Sequence, residues 1–99
     1  MKCKVTPAAK KQILEMMKQQ TDKNLKLRVY VTEAHGDHAH YGIGLDYQKP
    51  NDIVNAATPG LEILLERNNE FLNNIVVDYD GHQNSFFITN PTKGHHHHH

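Results

Sequence analysis

Two runs of alternating apolar and polar residues constrain the fold of this chain more than any other feature. Leu or Val occupies every second position of residues 25–32, and Tyr, Ile and Leu do the same in residues 41–47. Successive side chains of a β-strand point to opposite faces, so each run predicts a strand with one buried face. The other face of the second run carries Gly42 and Gly44, which indicates that a neighbouring group approaches that face closely.

A helix is predicted before the first strand. The Thr6 hydroxyl can cap free N–H groups at a helix start, and Pro7 suits the first helical position because it has no N–H to leave unpaired. Apolar residues then recur at helical spacing, with lysines on the other side. The pattern predicts a helix from Pro7 to about Gln20.

Shorter β-rich segments follow the two alternating runs. Ile53-Val54 lies between turns at residues 49–52 and 58–60, and residues 75–79 and 85–89 flank the turn at residues 80–82. Residues 61–74 are ambiguous, because their apolar positions fit one helix from end to end. Against that interpretation, Arg67-Asn68-Asn69 are mediocre helix formers in its middle.

These segments together predict a core in which the N-terminal helix lies against a β-sheet. The residues expected in it are Ile13, Met17, Leu27, Val29, Val31, Ile43, Leu45, Ile63, Leu65, Phe71, Val76 and Phe87.

The chain is 99 residues long, and its end is typical of a linker and purification tag, because five histidines follow Gly94. Residues 94–99 are assigned to that linker and tag. Residues 1–93 are expected to form a single domain with a modest core, since a chain of this size buries only about 60–65% of its unfolded surface.

The charge is zero overall but unevenly placed. Residues 1–28 hold eight Lys or Arg against two acidic residues, and residues 29–99 hold three against nine, which gives +6 and −6. This asymmetry predicts that the N-terminal segment packs beside an acidic remainder, and the absence of a net positive charge argues against nucleic acid as a partner. No apolar run or secretory pattern indicates a membrane span or export, so we expect a cytoplasmic protein with no membrane partner.

The pattern with most chemical content lies between the two alternating runs. His35, Asp37, His38 and His40 place three imidazoles and a carboxylate within six residues. Imidazole and carboxylate suit zinc, iron or nickel, and His38 and His40 share a face if the strand begins there. These four residues are the predicted metal ligands. The alternative is a solvated polar loop that joins two strands.

Two other features carry less weight. Cys3 is the only cysteine, which excludes an internal disulfide; it is expected to be an incidental thiol in a basic N-terminal tail, where Lys2 and Lys4 would favour its thiolate. The set Asp78, Asp80 and His82 could bind a cation or act as acid and base, but an acidic hairpin turn explains it equally.

The order of several short motifs resembles that of the HesB-like family, the A-type iron–sulfur cluster assembly proteins. The resemblance covers residues 4–92, and its main pieces are Thr-Pro-Ala-Ala at 6–9, Leu-Arg-Val-Tyr-Val at 27–31, Tyr41, Asn-Asp-Ile-Val at 51–54 and Phe-Ile-Thr-Asn-Pro at 87–91. It implies a mainly β fold with α+β elements, a small β-sandwich or flattened barrel with one long N-terminal helix and one short internal helix. It also divides residues 61–74 into a strand, Leu61 to about Glu66, and a short helix, about Asn68 to Leu72.

The chain departs from this family at its metal ligands. The family pattern has one cysteine in the loop after the Leu-Arg strand, which corresponds to about Gly36, and a Cys-x-Cys pair shortly after Thr-Asn-Pro. Neither is present, and Cys3 matches no ligand position. The resemblance therefore implies a divergent member that lacks the family's cysteines, in which an iron–sulfur cluster is not expected.

Two functional hypotheses follow. In the first, an iron–sulfur cluster biosynthesis family protein binds mononuclear iron or another divalent metal through the histidine-rich loop. In the second, the fold serves as a protein-interaction or small-ligand module with no metal. We expect no enzymatic activity, although an acid–base enzyme is a third, weaker option. The resemblance implies iron–sulfur assembly proteins as partners and association as a homodimer.

Overall fold

The computed structural model describes residues 1–93, so the tag assigned to residues 94–99 lies outside the described part. Seven strands form two sheets, in the orders β1-β6-β7 and β3-β2-β5-β4. In chain order the elements are β1 (Cys3–Val5), α1 (Pro7–Lys18), β2 (Lys26–His35), β3 (His38–Asp46), β4 (Asp52–Asn55), β5 (Ile63–Glu66), a 3₁₀ turn (Glu70–Leu72), β6 (Ile75–Asp80) and β7 (Ser85–Thr89). The mainly β class with one long N-terminal helix is confirmed.

The predicted start of the helix is also confirmed. The Thr6 hydroxyl accepts a hydrogen bond from the Ala9 N–H at 3.3 Å and donates one to the Asp78 carboxylate at 2.8 Å. The cap therefore also fastens the helix to β6. Ala9 and Ile13 are fully buried, and the helix ends at Lys18, two residues before the predicted end.

The two alternating runs form a long antiparallel hairpin. Leu27 pairs with Leu45 and Val29 with Ile43, so the inward faces of both strands coincide. On the outward face, a Cβ placed on Gly42 would lie 2.4 Å from the ring of Tyr30. The close approach predicted for this face is therefore made at Gly42, by the side chain of the neighbouring strand, and not at Gly44, where nothing lies within 4 Å of an added Cβ.

The ambiguous stretch is divided as the resemblance implies. Ile63–Glu66 is a strand and Glu70–Leu72 a single 3₁₀ turn, both shorter than predicted. Asn68 takes a φ of +65°, which no helix interior accommodates. Asn69 then begins the 3₁₀ turn by accepting a hydrogen bond from the Phe71 N–H at 3.1 Å. The chain therefore changes direction at the polar residues in the middle of this stretch.

The core lies between the sheets and the helix. Ile13, Leu27, Val29, Ile63 and Leu65 are buried as predicted, and four further predicted residues pack partly buried against them: Met17, Val31, Ile43 and Leu45. The buried cluster also includes Cys3, Ala9, Leu61, Leu72, Ile75 and Val77. Phe71 is half-buried and lies outside the cluster.

The prediction that Val76 and Phe87 lie in the core is wrong. The inward residues of β6 and β7 are Ile75, Val77, Phe86 and Ile88, so Val76 and Phe87 lie on the opposite face. Phe87 is 46% exposed. Where three apolar residues are adjacent, the sequence does not show which of them face the core. Either set of alternate residues would place apolar side chains on the core face. In residues 1–93 no helix has the length and apolar character needed to cross a bilayer.

Candidate functional site

The histidine-rich segment is the tip of the β2–β3 hairpin. Gly36 and Asp37 form a two-residue turn, in which Gly36 takes a φ of +61° that side chains rarely adopt. His35 is paired directly with His38 across the turn. The strands therefore extend further than the alternating runs, and the segment predicted as a loop is mostly hairpin.

A bulge at Thr32 sets the register of this tip. Val31 pairs with Tyr41, but the next pair is Glu33 with His40, because Thr32 is the extra residue. Directly paired residues lie on the same face of a hairpin and successive pairs alternate between faces. His35, His38, His40 and Glu33 consequently share one face, which we call the histidine face.

The histidine face is directed away from the core. Val31 and Tyr41 pack inward, so the adjacent pair of Glu33 and His40 points outward. The side chain of His35 is 70% exposed and that of Glu33 is 61% exposed. His35 Nε2 lies 2.8 Å from the Glu33 Oε2. This contact places a carboxylate in position to orient one of the imidazoles.

The predicted ligands are brought together only in part. The three histidines share a face, while Asp37 lies in the turn. Within residues 1–93, no three side chains of His, Cys, Asp or Glu stand close enough together to hold a metal ion. The metal site therefore stays a prediction, for which the hairpin supplies aligned residues rather than a formed set of ligands.

Cys3 lies in the core and not in a basic tail. It belongs to β1, which pairs in parallel with β6, and the thiol residue is only 6% exposed. Burial raises the pKa of Cys3 to about 11, so the expected effect of Lys2 and Lys4 on its thiolate was wrong. Three residues are too few for a strand to reveal itself by alternation. The only cysteine of the chain is thus unsuited to metal or nucleophilic chemistry.

The acidic set at the β6–β7 hairpin makes hydrogen bonds that hold the fold together. Asp78 accepts hydrogen bonds from the Thr6 hydroxyl and from the Tyr79 N–H, each at 2.8 Å. Asp80 accepts one from the His82 N–H at 2.9 Å. The contact of Asp80 fits the interpretation as an acidic hairpin turn, whereas Asp78 holds the cap of the helix.

The sequence alone did not indicate a cluster of charged side chains around Arg28. The guanidinium donates to both oxygens of Asp52, at 2.8 and 2.5 Å, and to Asp46 at 2.8 Å. The hydrogen bond from Arg28 lowers the pKa of Asp52. Hydrogen bonds from Lys49, the Tyr47 N–H and Arg28 hold the pKa of Asp46 at about 2. Arg28 and Asp52 belong to the motifs that resemble the HesB-like family, and their role here is to join β2 to the end of β3 and the start of β4.

Asn90 is a second structural residue within one of these motifs. Its side chain is buried and donates to the carbonyls of Phe71 and Asn73 at 3.1 and 2.8 Å. Its oxygen accepts hydrogen bonds from the N–H and hydroxyl of Thr92. The Thr-Asn-Pro motif thus fixes the end of β7 to the 3₁₀ turn.

These contacts bring the end of β7 beside β3. A cleft of about 220 Å³ lies between them, and its lining includes His38, Tyr41, Asn90 and Lys93. The histidine-rich end of β3 and the residues that follow the Thr-Asn-Pro motif therefore lie in neighbouring parts of the fold.

Comparison with known proteins gives a likeness in structure. No protein-family model matches the chain, and no curated protein sequence matches it significantly. Among solved structures, the crystal structure of IscA with the [2Fe-2S] cluster matches with a TM-score of 0.66 and 26% sequence identity, over 91% of this chain and 83% of that one. The fold is therefore similar to that of IscA, a coarse agreement with the HesB-like resemblance.

Residues 1–93 offer no accessible thiolate for a cluster of the kind that this IscA structure holds. Iron–sulfur clusters are held mainly by cysteine thiolates. The chain has one cysteine, and burial keeps it protonated. Within residues 1–93, the likeness to IscA is one of fold.

Proposed function

We propose that this chain is an IscA-like protein of iron–sulfur cluster biosynthesis that binds a single divalent metal ion, iron or another transition metal, on its histidine face. The observation that carries the proposal is the hairpin register, which sets His35 opposite His38 and aligns Glu33 and His40 on the same face. The likeness to IscA supports the assignment to cluster biosynthesis.

The spacing of paired residues suits a shared ion. Directly opposite residues have Cβ atoms about 4.5–5.5 Å apart, and metal–imidazole bonds measure about 2.0–2.1 Å. Two imidazoles from His35 and His38 can therefore reach one ion after rotation about their side-chain bonds. Their exposure leaves room for that rotation.

Glu33 and His40 provide the remaining donors. Glu33 already contacts His35. It can therefore orient that imidazole through a hydrogen bond to the ring nitrogen that does not bind the metal, or become a ligand itself. His40 lies one pair further along the same face, where diagonal neighbours are about 7–8 Å apart. A set of nitrogen and oxygen donors of this kind favours a mononuclear ion over a sulfide-bridged cluster.

Calorimetric titration with zinc and with ferrous iron under anaerobic conditions tests this proposal. The protein must lack residues 94–99, because consecutive histidines bind these metals themselves. We expect one ion per chain, and we expect the variant His35→Ala/His38→Ala to lose at least tenfold in affinity. His82→Ala is the matched control, since this histidine lies in the β6–β7 turn, and it should bind as the unaltered chain does.

The pH dependence gives a second measurement on the same samples. Only a neutral imidazole can bind a metal, so affinity should weaken as the solution is acidified, with release of protons on binding. Equal, millimolar binding by all three proteins would refute the metal site and leave a solvated hairpin.

The second candidate function is an interaction module without metal. It is favoured by the absence of converged ligands in residues 1–93 and by large side chains that remain exposed, with Tyr30 at 43%, Tyr47 at 50% and Phe87 at 46%. Exposed aromatic residues are frequent at protein interfaces. The expected partner is then an iron–sulfur assembly protein or a second copy of the chain, and analytical ultracentrifugation with and without zinc distinguishes self-association from metal-dependent pairing.

A further inference from the structure

We propose that the free edge of β1 is a docking site for an extended, acidic peptide segment of a partner protein. This site belongs to the smaller sheet and is separate from the histidine face. It would operate by addition of a strand, in which main-chain hydrogen bonds give affinity and flanking side chains give selectivity.

The first argument is the backbone of β1. The Asn74 N–H donates to the Lys2 carbonyl at 2.8 Å and the Thr6 N–H donates to the Val77 carbonyl at 3.0 Å, so these groups face β6. Backbone groups of successive strand residues point to opposite edges. The N–H and C=O of Cys3 and Val5 therefore point away from β6, and no group within residues 1–93 bonds to them.

The second argument is the space beside that edge. β1 is the end strand of its sheet, and a groove of about 560 Å³ lies over β1 and the start of β6. Residues 1–5 and residues 74–76 line it, together with Asn55, Ala57, Thr58, Pro91 and Thr92. A volume of this size lies within the range of established ligand sites, about 300–1,000 Å³. An edge with unpaired backbone groups thus borders a groove of the size of a ligand site.

The third argument is charge, which identifies the occupant. Lys2 and Lys4 line the groove, and none of its lining residues is acidic. Neither lysine belongs to an ion pair within residues 1–93. An acidic strand would pair with both, whereas a basic strand would be repelled.

Nuclear magnetic resonance of nitrogen-15-labelled protein tests the proposal, with the peptide acetyl-Glu-Val-Glu-Val-Glu-amide as the probe. Shifts should concentrate at Cys3, Val5 and Ala57, and the amides of Cys3 and Val5 should exchange with solvent more slowly in the complex. The same peptide with lysine in place of glutamate should bind more weakly.

Two double variants complete the experiment. Lys2→Ala/Lys4→Ala should weaken binding by roughly 2- to 30-fold, the size expected from two exposed ion pairs. Lys10→Ala/Lys11→Ala removes the same charge from the helix, outside the groove, and should retain the affinity. Shifts located elsewhere, equal binding of both peptides, or equal loss in both variants would overturn the proposal. So would peptide-independent shifts at Cys3 and Val5 that grow with protein concentration, because a second copy would then occupy the edge.

Discussion

Arg28 shows how one side chain can hold three strands of the larger sheet in place. It extends from β2, bonds to Asp46 at the end of β3 and to Asp52 at the start of β4, and is only 15% exposed. Asp52 is 4% exposed and also accepts a hydrogen bond from the Lys49 N–H at 2.7 Å. An ion pair this deeply buried stabilises the fold chiefly because neither charge is left buried without a partner.

The variant Asp52→Asn should therefore destabilise the fold by roughly 1–3 kcal/mol, between the cost of breaking an exposed ion pair and that of breaking a fully buried one. Denaturant unfolding followed by circular dichroism measures the change. Glu62→Gln serves as the control, because Glu62 pairs with Lys26 at an exposed position and its loss should change the free energy of unfolding by less than about 1 kcal/mol. Equal effects of the two variants would show that the Arg28 cluster is not buried as described.

The same carboxylates predict a direction for the pH dependence of stability. The folded-state pKa values of Asp46 and Asp52 lie below the ordinary value, Asp46 at about 2. The unfolded chain therefore binds more protons than the folded one between about pH 5 and pH 2. Their contribution is fully present above pH 5 and is lost as pH falls through this range. Thermal melts from pH 7 to pH 3 should show this loss, and a smaller one in Asp52→Asn.

At the scale of elements, the sequence predicts those in which the apolar pattern and the cap or turn chemistry agree. The helix begins at its Thr-Pro cap, and β2 and β3 follow the alternating runs. The parts that could not be predicted depend on partners distant in sequence. β1 exists because it pairs with β6, and the histidines share a face with Glu33 because a bulge at Thr32 shifts the register. Neither fact has a local signal.

The inward face of the hairpin offers a direct test of the strand assignment. Leu27→Ala should cost roughly 2–4 kcal/mol, through lost burial and the cavity that remains, because Leu27 is 1% exposed. Phe87→Ala removes a larger side chain from an exposed position and should cost less. Urea unfolding of both variants checks this order. A greater loss from Phe87 would contradict the described phase of β7.

At the scale of the molecule, a fold similar to that of IscA carries the histidine face at the tip of one hairpin. The fold could be inferred from the order of short motifs, and Arg28 and Asn90 show why those motifs matter for stability. The site could be inferred only as a cluster of histidines, because function depends on the geometry of particular side chains and not on the fold. The charge asymmetry predicted that the basic N-terminal segment packs beside acidic residues. Two of its cations do so: Lys26 and Arg28 form ion pairs with acidic residues between positions 46 and 62.

This combination predicts that the protein purified without air carries no sulfide-bridged cluster. A single buried cysteine offers no accessible thiolate in the folded chain. The visible spectrum should lack cluster absorption, and acid-labile sulfide should be absent in protein without residues 94–99. Stoichiometric sulfide in that protein would contradict this prediction.

The most direct test of the proposed metal site is the X-ray absorption spectrum of protein that lacks residues 94–99 and is loaded with one equivalent of zinc. Zinc on the histidine face should show nitrogen and oxygen neighbours at about 2.0–2.1 Å, with the multiple-scattering features of imidazole and no sulfur at about 2.3 Å. His35→Ala/His38→Ala should retain no stoichiometric zinc after dialysis. A sulfur neighbour, or equal zinc retention by both proteins, would contradict a site built from His35 and His38.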